Sequence, residues 1–108
     1  MSQDYLGEFE QMVLLSIMRL GEDAYGLAIK DELESVAGRV PSSGALYTTL
    51  DRMERKGFLE SHAGESTPER GGRPRRYVRL TAEGHALLAR SRSTLLALWD
   101  GLEGALDR

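Results

Sequence analysis

The chain has no cysteine, which removes thiolate nucleophiles, cysteine-based zinc sites and a disulfide framework together. A reducing compartment suits such a composition. No apolar run approaches the ~20 residues that a membrane-spanning helix needs, and the opening Met1-Ser2-Gln3-Asp4 lacks the basic and apolar regions of a signal peptide. The expected location is therefore cytoplasmic, with no membrane partner. Histidine is nearly as scarce. His62 and His85 stand far apart with neither HxxxH nor HExxH spacing, so no metal site is expected. Ser16, Ser42, Ser43 and Ser91 occupy no nucleophile-elbow setting, and Gly71-Gly72 has neither a Lys-Ser/Thr pair nor a following helix to make a phosphate loop. Neither enzymatic chemistry nor a cofactor is expected.

What remains is a chain of 108 residues, 41% apolar and 29% charged, the size of one compact domain. Folding such a chain buries about 60% of its unfolded surface or a little more, enough for a core without staples. The formal net charge of −3 argues against a polyanionic partner only if the charge is evenly spread, and it is not. Residues 1–38 carry two basic and eight acidic side chains, net −6, whereas residues 39–79 carry nine basic against five acidic, net +4. Arg70, Arg73, Arg75, Arg76 and Arg79 follow one another with no acid between them. A bare run of this kind ordinarily marks a solvated loop, so its meaning depends on its neighbours.

Apolar residues at Leu6, Phe9, Val13, Ile17 and Leu20 step by three and four, widened by Leu14 and Met18, and predict a buried helix over residues 6–20. After Gly21-Glu22-Asp23, a second helix is expected over residues 25–37, with Tyr25, Ile29, Leu33 and Val36 on one face and Gly38 as its stop. Pro41-Ser42-Ser43 offers a start for a third helix through Lys56, because a serine oxygen there can accept from the orphan first-turn amides. Gly57 ends it. The period then changes. Residues 58–62 form one strand candidate and residues 76–80 another, with Arg76, Val78 and Leu80 alternating against Tyr77 and Arg79. Residues 63–75 between them, rich in proline, glycine and polar side chains, read as a long hairpin loop, a length that usually carries function or lacks order. Thr81 caps a final helix expected to run nearly to the end, with a stripe at Leu88, Leu95, Trp99, Leu102 and Leu106.

The order is helix, helix, helix, two-stranded hairpin, long helix. It describes a mainly α fold with a two-stranded β-wing: a winged helix-turn-helix domain over residues 1–80 and a C-terminal dimerisation helix over residues 81–108. On the third helix, Leu46, Leu50 and Met53 face one way and Gly44, Thr48, Asp51 and Arg55 the other, flanked by Tyr47 and Arg52. A polar helix after a short turn is what enters a major groove, its first residues reaching base edges. Ser42, Ser43, Tyr47 and Thr48 can donate to phosphates, and the helix N-terminus favours an anion. Tyr47 reads equally well as a core aromatic with its hydroxyl at the rim. The loop arginines would lie along the neighbouring backbone or the minor groove.

These residues carry a resemblance. Leu14-Leu15, Tyr25-Gly26 with Ile29, Gly44-Ala45-Leu46-Tyr47 followed by Leu50, Arg52-Met53-Glu54 and Lys56-Gly57, then Arg76-Tyr77, Arg79-Leu80-Thr81 and Glu83-Gly84, are similar to the PadR family of bacterial transcription factors. Three positions depart from the family pattern: Ser43 where proline often precedes the glycine, Val78 in place of a second tyrosine, and Arg70-Gly71-Gly72-Arg73, which enlarges the wing. The resemblance implies a homodimeric repressor on a pseudo-palindromic double-stranded DNA operator, often near its own gene, and in some relatives release by a small aromatic or drug-like effector. The single C-terminal helix resembles the smaller subgroup.

The expected DNA-binding residues are accordingly Ser42, Ser43, Gly44, Tyr47, Thr48, Arg52, Arg70, Arg73, Arg75 and Arg76. Dimerisation is expected through Leu88, Leu95, Trp99, Leu102 and Leu106, a stripe that two copies would bury against each other and the first helix. Trp99 reads as an interface anchor, or as a ring on which a flat ligand stacks. The alternative class is a winged-helix protein-interaction or effector-sensing module without DNA binding. A partner protein that protects the wing arginines while DNA does not would distinguish it.

Overall fold

The computed structural model describes residues 5–65 and 74–107. Four helices and a hairpin follow in the order α1 (Glu8–Leu20), α2 (Gly26–Ala37), α3 (Ser43–Arg55), β1 (Leu59–Ala63), β2 (Arg76–Leu80) and α4 (Ala82–Trp99), with a single 3₁₀ turn at Gly21–Asp23 between α1 and α2. The apolar stripes meet in one core. Val13, Leu14 and Ile17 of α1, Ile29 and Leu33 of α2, Leu46, Leu50 and Met53 of α3, Val78 and Leu80 of β2, and Leu87 and Leu88 of α4 are all buried there.

Local chemistry sets the boundaries. Gly38 adopts the left-handed conformation (φ 67°) at the end of α2, its N–H donating to the Glu34 carbonyl while the Arg39 N–H donates to Leu33, so the last carbonyls are satisfied. The Ser42 hydroxyl accepts from the Ala45 N–H and caps α3. Gly57, at φ 86°, turns the chain from α3 into the hairpin. Thr81 accepts from the Gly84 N–H to start α4 and donates to the Gly57 carbonyl, so one side chain ties both ends of the hairpin together.

The strands pair antiparallel, Leu59 opposite Leu80 through Ala63 opposite Arg76. An extra bridge joins Tyr25 to Tyr77, and the Val78 N–H donates to the Ala24 carbonyl. The turn before α2 thus edges the wing and holds it against the helical body.

Several expectations shift. β1 begins one residue later than the pattern indicates, and Val36, placed on the buried face of α2, is 60% exposed. The final helix does not run nearly to the end. It stops at Trp99, and Gly101 (φ 83°) begins a series of turns that places Leu102 and Leu106 beyond the helix. Leu88 belongs to the chain's own core rather than to an external stripe, because the first two turns of α4 pack behind the hairpin.

Candidate nucleic-acid interface

The exposed face of α3 begins at its cap. Ser42, Ser43, Gly44, Tyr47 and Thr48 are all solvent-exposed on the first turns, opposite the buried Leu46, Thr49, Leu50 and Met53. With the cap hydroxyl already satisfying the Ala45 amide, the remaining first-turn amides and hydroxyls present a donor-rich end to solvent. Among the described residues no side chain lies near the open side of Gly44, so a partner's surface can approach the backbone there.

Tyr47 is partly exposed and leans across the start of α2, where a Cβ on Gly26 would overlap its hydroxyl. The Gly26 position is therefore a seat for that ring. Gly26→Ala is expected to displace Tyr47 while leaving the fold intact, since the obstructing atoms are the end of a side chain. An unfolding free energy within about 0.5 kcal/mol of wild type, together with altered DNA affinity, is the outcome to look for.

The wing side is more varied than a uniform arginine clamp. Arg79 pairs with Glu60, its cross-strand neighbour, at 2.6 Å. Arg76 reaches back to α3, with Nη1 2.8 Å from Asp51 Oδ1 and Nη2 2.6 Å from Glu54 Oε1. Burial works to lower its pKa, but the hydrogen bonds to Glu54 and Asp51 outweigh it and hold the guanidinium above its ordinary value. Arg52 is likewise engaged, 3.2 Å from Glu10 of α1. Arg75 has no carboxylate partner among the described residues; its guanidinium lies 4.1 Å from the centre of the Tyr25 ring, a cation–π contact. Interaction with the Tyr77 side chain, countered by desolvation, raises its pKa, with Tyr25 adding to the effect. Arg70 and Arg73 lie outside the described residues.

An aromatic stack orients this edge. Tyr77 packs edge-on against Tyr25 and face-on against His62, each with ring centres 5.6 Å apart. Periodicity could not reveal it, because Tyr25 precedes α2 and meets Tyr77 only through the bridge between them. The Arg76 contacts had a sequence signal: two carboxylates three residues apart on a helix otherwise suited to a polyanion.

Elsewhere, Leu95 and Trp99 are exposed on the distal half of α4 (44% and 42%), as are Leu96 and Leu98, and Leu102 and Leu106 are exposed beyond its end. A cavity of about 730 Å³ lies behind the wing, walled by Ile17, Tyr77, Val78 and Leu80. Among the described residues no helix is long and apolar enough to cross a membrane, and no group of three or more histidine, aspartate or glutamate side chains could hold a metal ion.

Three packed helices, the third capped and exposed along one side, joined to a hairpin rich in arginine, define a winged helix-turn-helix protein. The transcriptional regulator PadR-like family matches residues 14–90, and the chain belongs to that family. It is similar to a PadR family transcriptional regulator from Eggerthella lenta DSM 2243, with 30% identity over 93% of this chain and 87% of that one and a TM-score of 0.69. It is also similar to hsRosR-S4, in a structure described as a complex, with 30% identity, 87% of this chain and 74% of that one covered and a TM-score of 0.64. A PadR-like transcriptional regulator from Bacillus cereus strain ATCC 14579, 22% identical over 93% and 92% of the two chains, shares the fold at a TM-score of 0.73. No curated protein matches the chain. Family members are transcriptional regulators, and this chain is a winged-helix regulator rather than an enzyme.

Proposed function

We propose that the protein is a cytoplasmic homodimeric repressor that binds a pseudo-palindromic DNA operator near its own or an adjacent gene. The observation that carries this reading is the capped, exposed N-terminal end of α3, with Ser42, Ser43, Gly44, Tyr47 and Thr48 open to solvent on the same domain as the Arg75 guanidinium. In it the α3 residues address the major groove, and Arg75, with Arg70 and Arg73, supplies the charge on the wing side. Arg52 and Arg76 serve mainly as struts, because each already faces a carboxylate. The distal α4 side chains, without Leu88, supply the dimer contact. An effector enters this reading only by binding the DNA-incompetent dimer more tightly than the competent one, and Trp99 is the ring on which a flat ligand would stack.

Binding to the upstream DNA, measured across a salt series, tests the reading. Arg75→Gln is expected to weaken all sequences alike and to reduce the salt slope by roughly one unit, the amount one lost phosphate contact removes. Thr48→Ala is expected to change sequence preference instead. Gly44→Ala separates fold from function. With open space around the added methyl and better helix propensity, it should stabilise the protein by about 0.5–1 kcal/mol while lowering operator affinity. Salt-independent binding, or none, contradicts the proposal.

A further inference from the structure

The outward side of α3 carries two carboxylates, Asp51 and Glu54, on a surface otherwise fitted to a polyanion. Their surroundings differ. Both Glu54 oxygens have a donor at hand: the Ser61 hydroxyl lies 3.0 and 2.9 Å from them, and Arg76 donates to Oε1 at 2.6 Å. Asp51 accepts from Arg76 through Oδ1 alone, at 2.8 Å, and its side chain is 59% exposed. Among the described residues no donor reaches its other oxygen.

Asp51 follows Thr48 by three residues and shares its face of the helix. Thr48, Asp51, Glu54 and Arg55 line one open concavity of about 560 Å³. With Arg76 held against it, this patch pairs two negative with two positive side chains, Asp51 and Glu54 against Arg55 and Arg76. It neither repels DNA as two bare carboxylates would nor grips phosphate. A neutral patch with one outward acceptor is suited to a hydrogen-bond donor on a base edge. In the major groove cytosine presents its amino group alone, whereas guanine and thymine present acceptors, and adenine sets its amino group beside the N7 acceptor that a carboxylate repels.

We propose that Asp51 is a specificity-determining residue that accepts a hydrogen bond from a cytosine amino group in the operator, and that Arg76 is the positioning residue that aims it. This rests on the DNA-binding reading above, and the experiment separates the two.

Wild type, Asp51→Ala, Asp51→Asn, Arg76→Gln and Arg76→Lys are each used to select sites from a randomised duplex pool, with thermal unfolding measured alongside. The wild-type motif is expected to contain a position where cytosine is favoured by roughly tenfold, within the range one direct base contact supplies. Asp51→Ala should flatten that position while the preferences at the other positions of the motif persist. Asp51→Asn should move the preference to adenine, which an amide reads through N6 and N7. Arg76→Gln should blur the same position and Arg76→Lys should restore part of it. Should Arg76→Gln fold poorly, the Asp51 variants decide. A motif unchanged in Asp51→Ala overturns the assignment. Uniform weakening with a lower salt slope in a folded Arg76→Gln makes Arg76 a phosphate clamp and overturns its positioning role. A wild-type protein that binds no duplex in the pool overturns the DNA-binding reading and this one with it.

Discussion

Gly84→Ala is expected to lower the stability of the protein by about 2 kcal/mol, the largest loss from any single added methyl. Gly84 occupies the first turn of α4, where a Cβ would overlap the carbonyl oxygen of Phe58 and crowd that residue's carbonyl carbon and Cα. The obstruction is backbone at the entry to β1, so no side chain can turn aside. α4 must retreat, and the contacts that lock it retreat with it: the Thr81 N–H to the Phe58 carbonyl at 3.0 Å, and the Thr81 hydroxyl to the Gly57 carbonyl at 2.6 Å. Overpacking of this kind costs about 1–3 kcal/mol and each weakened hydrogen bond about 0.5–1.5, offset by up to about 1 from alanine's better helix propensity. Chemical denaturation at fixed protein concentration checks the value, with Gly104→Ala as control, because none of the described residues approaches a Cβ there. Equal midpoints for wild type and Gly84→Ala would show that the α4–hairpin contact yields.

Leu95→Glu is expected to have the largest effect on function. Past Leu88, α4 leaves the core and presents Leu95, Leu96, Leu98 and Trp99 to solvent, and Leu15 and Met18 of α1 are also about half exposed. So many large apolar side chains on two elements form more than the scattered exposure ordinary on a monomer. The radius of gyration, 15.8 Å, exceeds the roughly 13 Å of a compact domain of this length, as an extended arm requires. A carboxylate at position 95 would be buried unpaired in a dimer contact and remain solvated in a monomer, so it should halve the mass seen by sedimentation while helical content persists. Operator affinity should then fall by roughly 10²–10⁴-fold, the gain that linking two half-site contacts supplies. A wild-type protein that sediments as a monomer, or a variant with unchanged mass, contradicts the dimer.

Much of the fold was legible because its signals are local. The three-and-four spacing of Val13, Leu14 and Ile17, the alternation at Val78 and Leu80, and the caps at Ser42, Gly38 and Thr81 depend on neighbours in the chain, and the structure bears each of them out. What sequence reading missed depends on distant partners. Leu88 fits an external stripe by spacing, yet it falls where α4 still crosses the hairpin, and only the packing shows which part of the helix is covered. Leu102 and Leu106 continue the same rhythm past Asp100, whose extended backbone (ψ 124°) ends the helix before them.

The charged residues of the candidate site were legible in kind but not in engagement. Arg75, Arg76 and Arg79 look alike in a run, whereas the fold sets the first on a tyrosine ring, the second between two α3 carboxylates and the third on its cross-strand neighbour. The +4 block of residues 39–79 therefore overstates the charge free to meet phosphate. In the proposed dimer, fewer contacts per subunit make the second subunit more important to binding.

Footprinting the purified protein on the DNA upstream of its own gene, at low and raised salt, tests the central claim most directly. Two protected half-sites about one helical turn apart, roughly 10 base pairs centre to centre, are expected, both lost together as salt rises. No protection at any salt, or protection indifferent to salt, would contradict it.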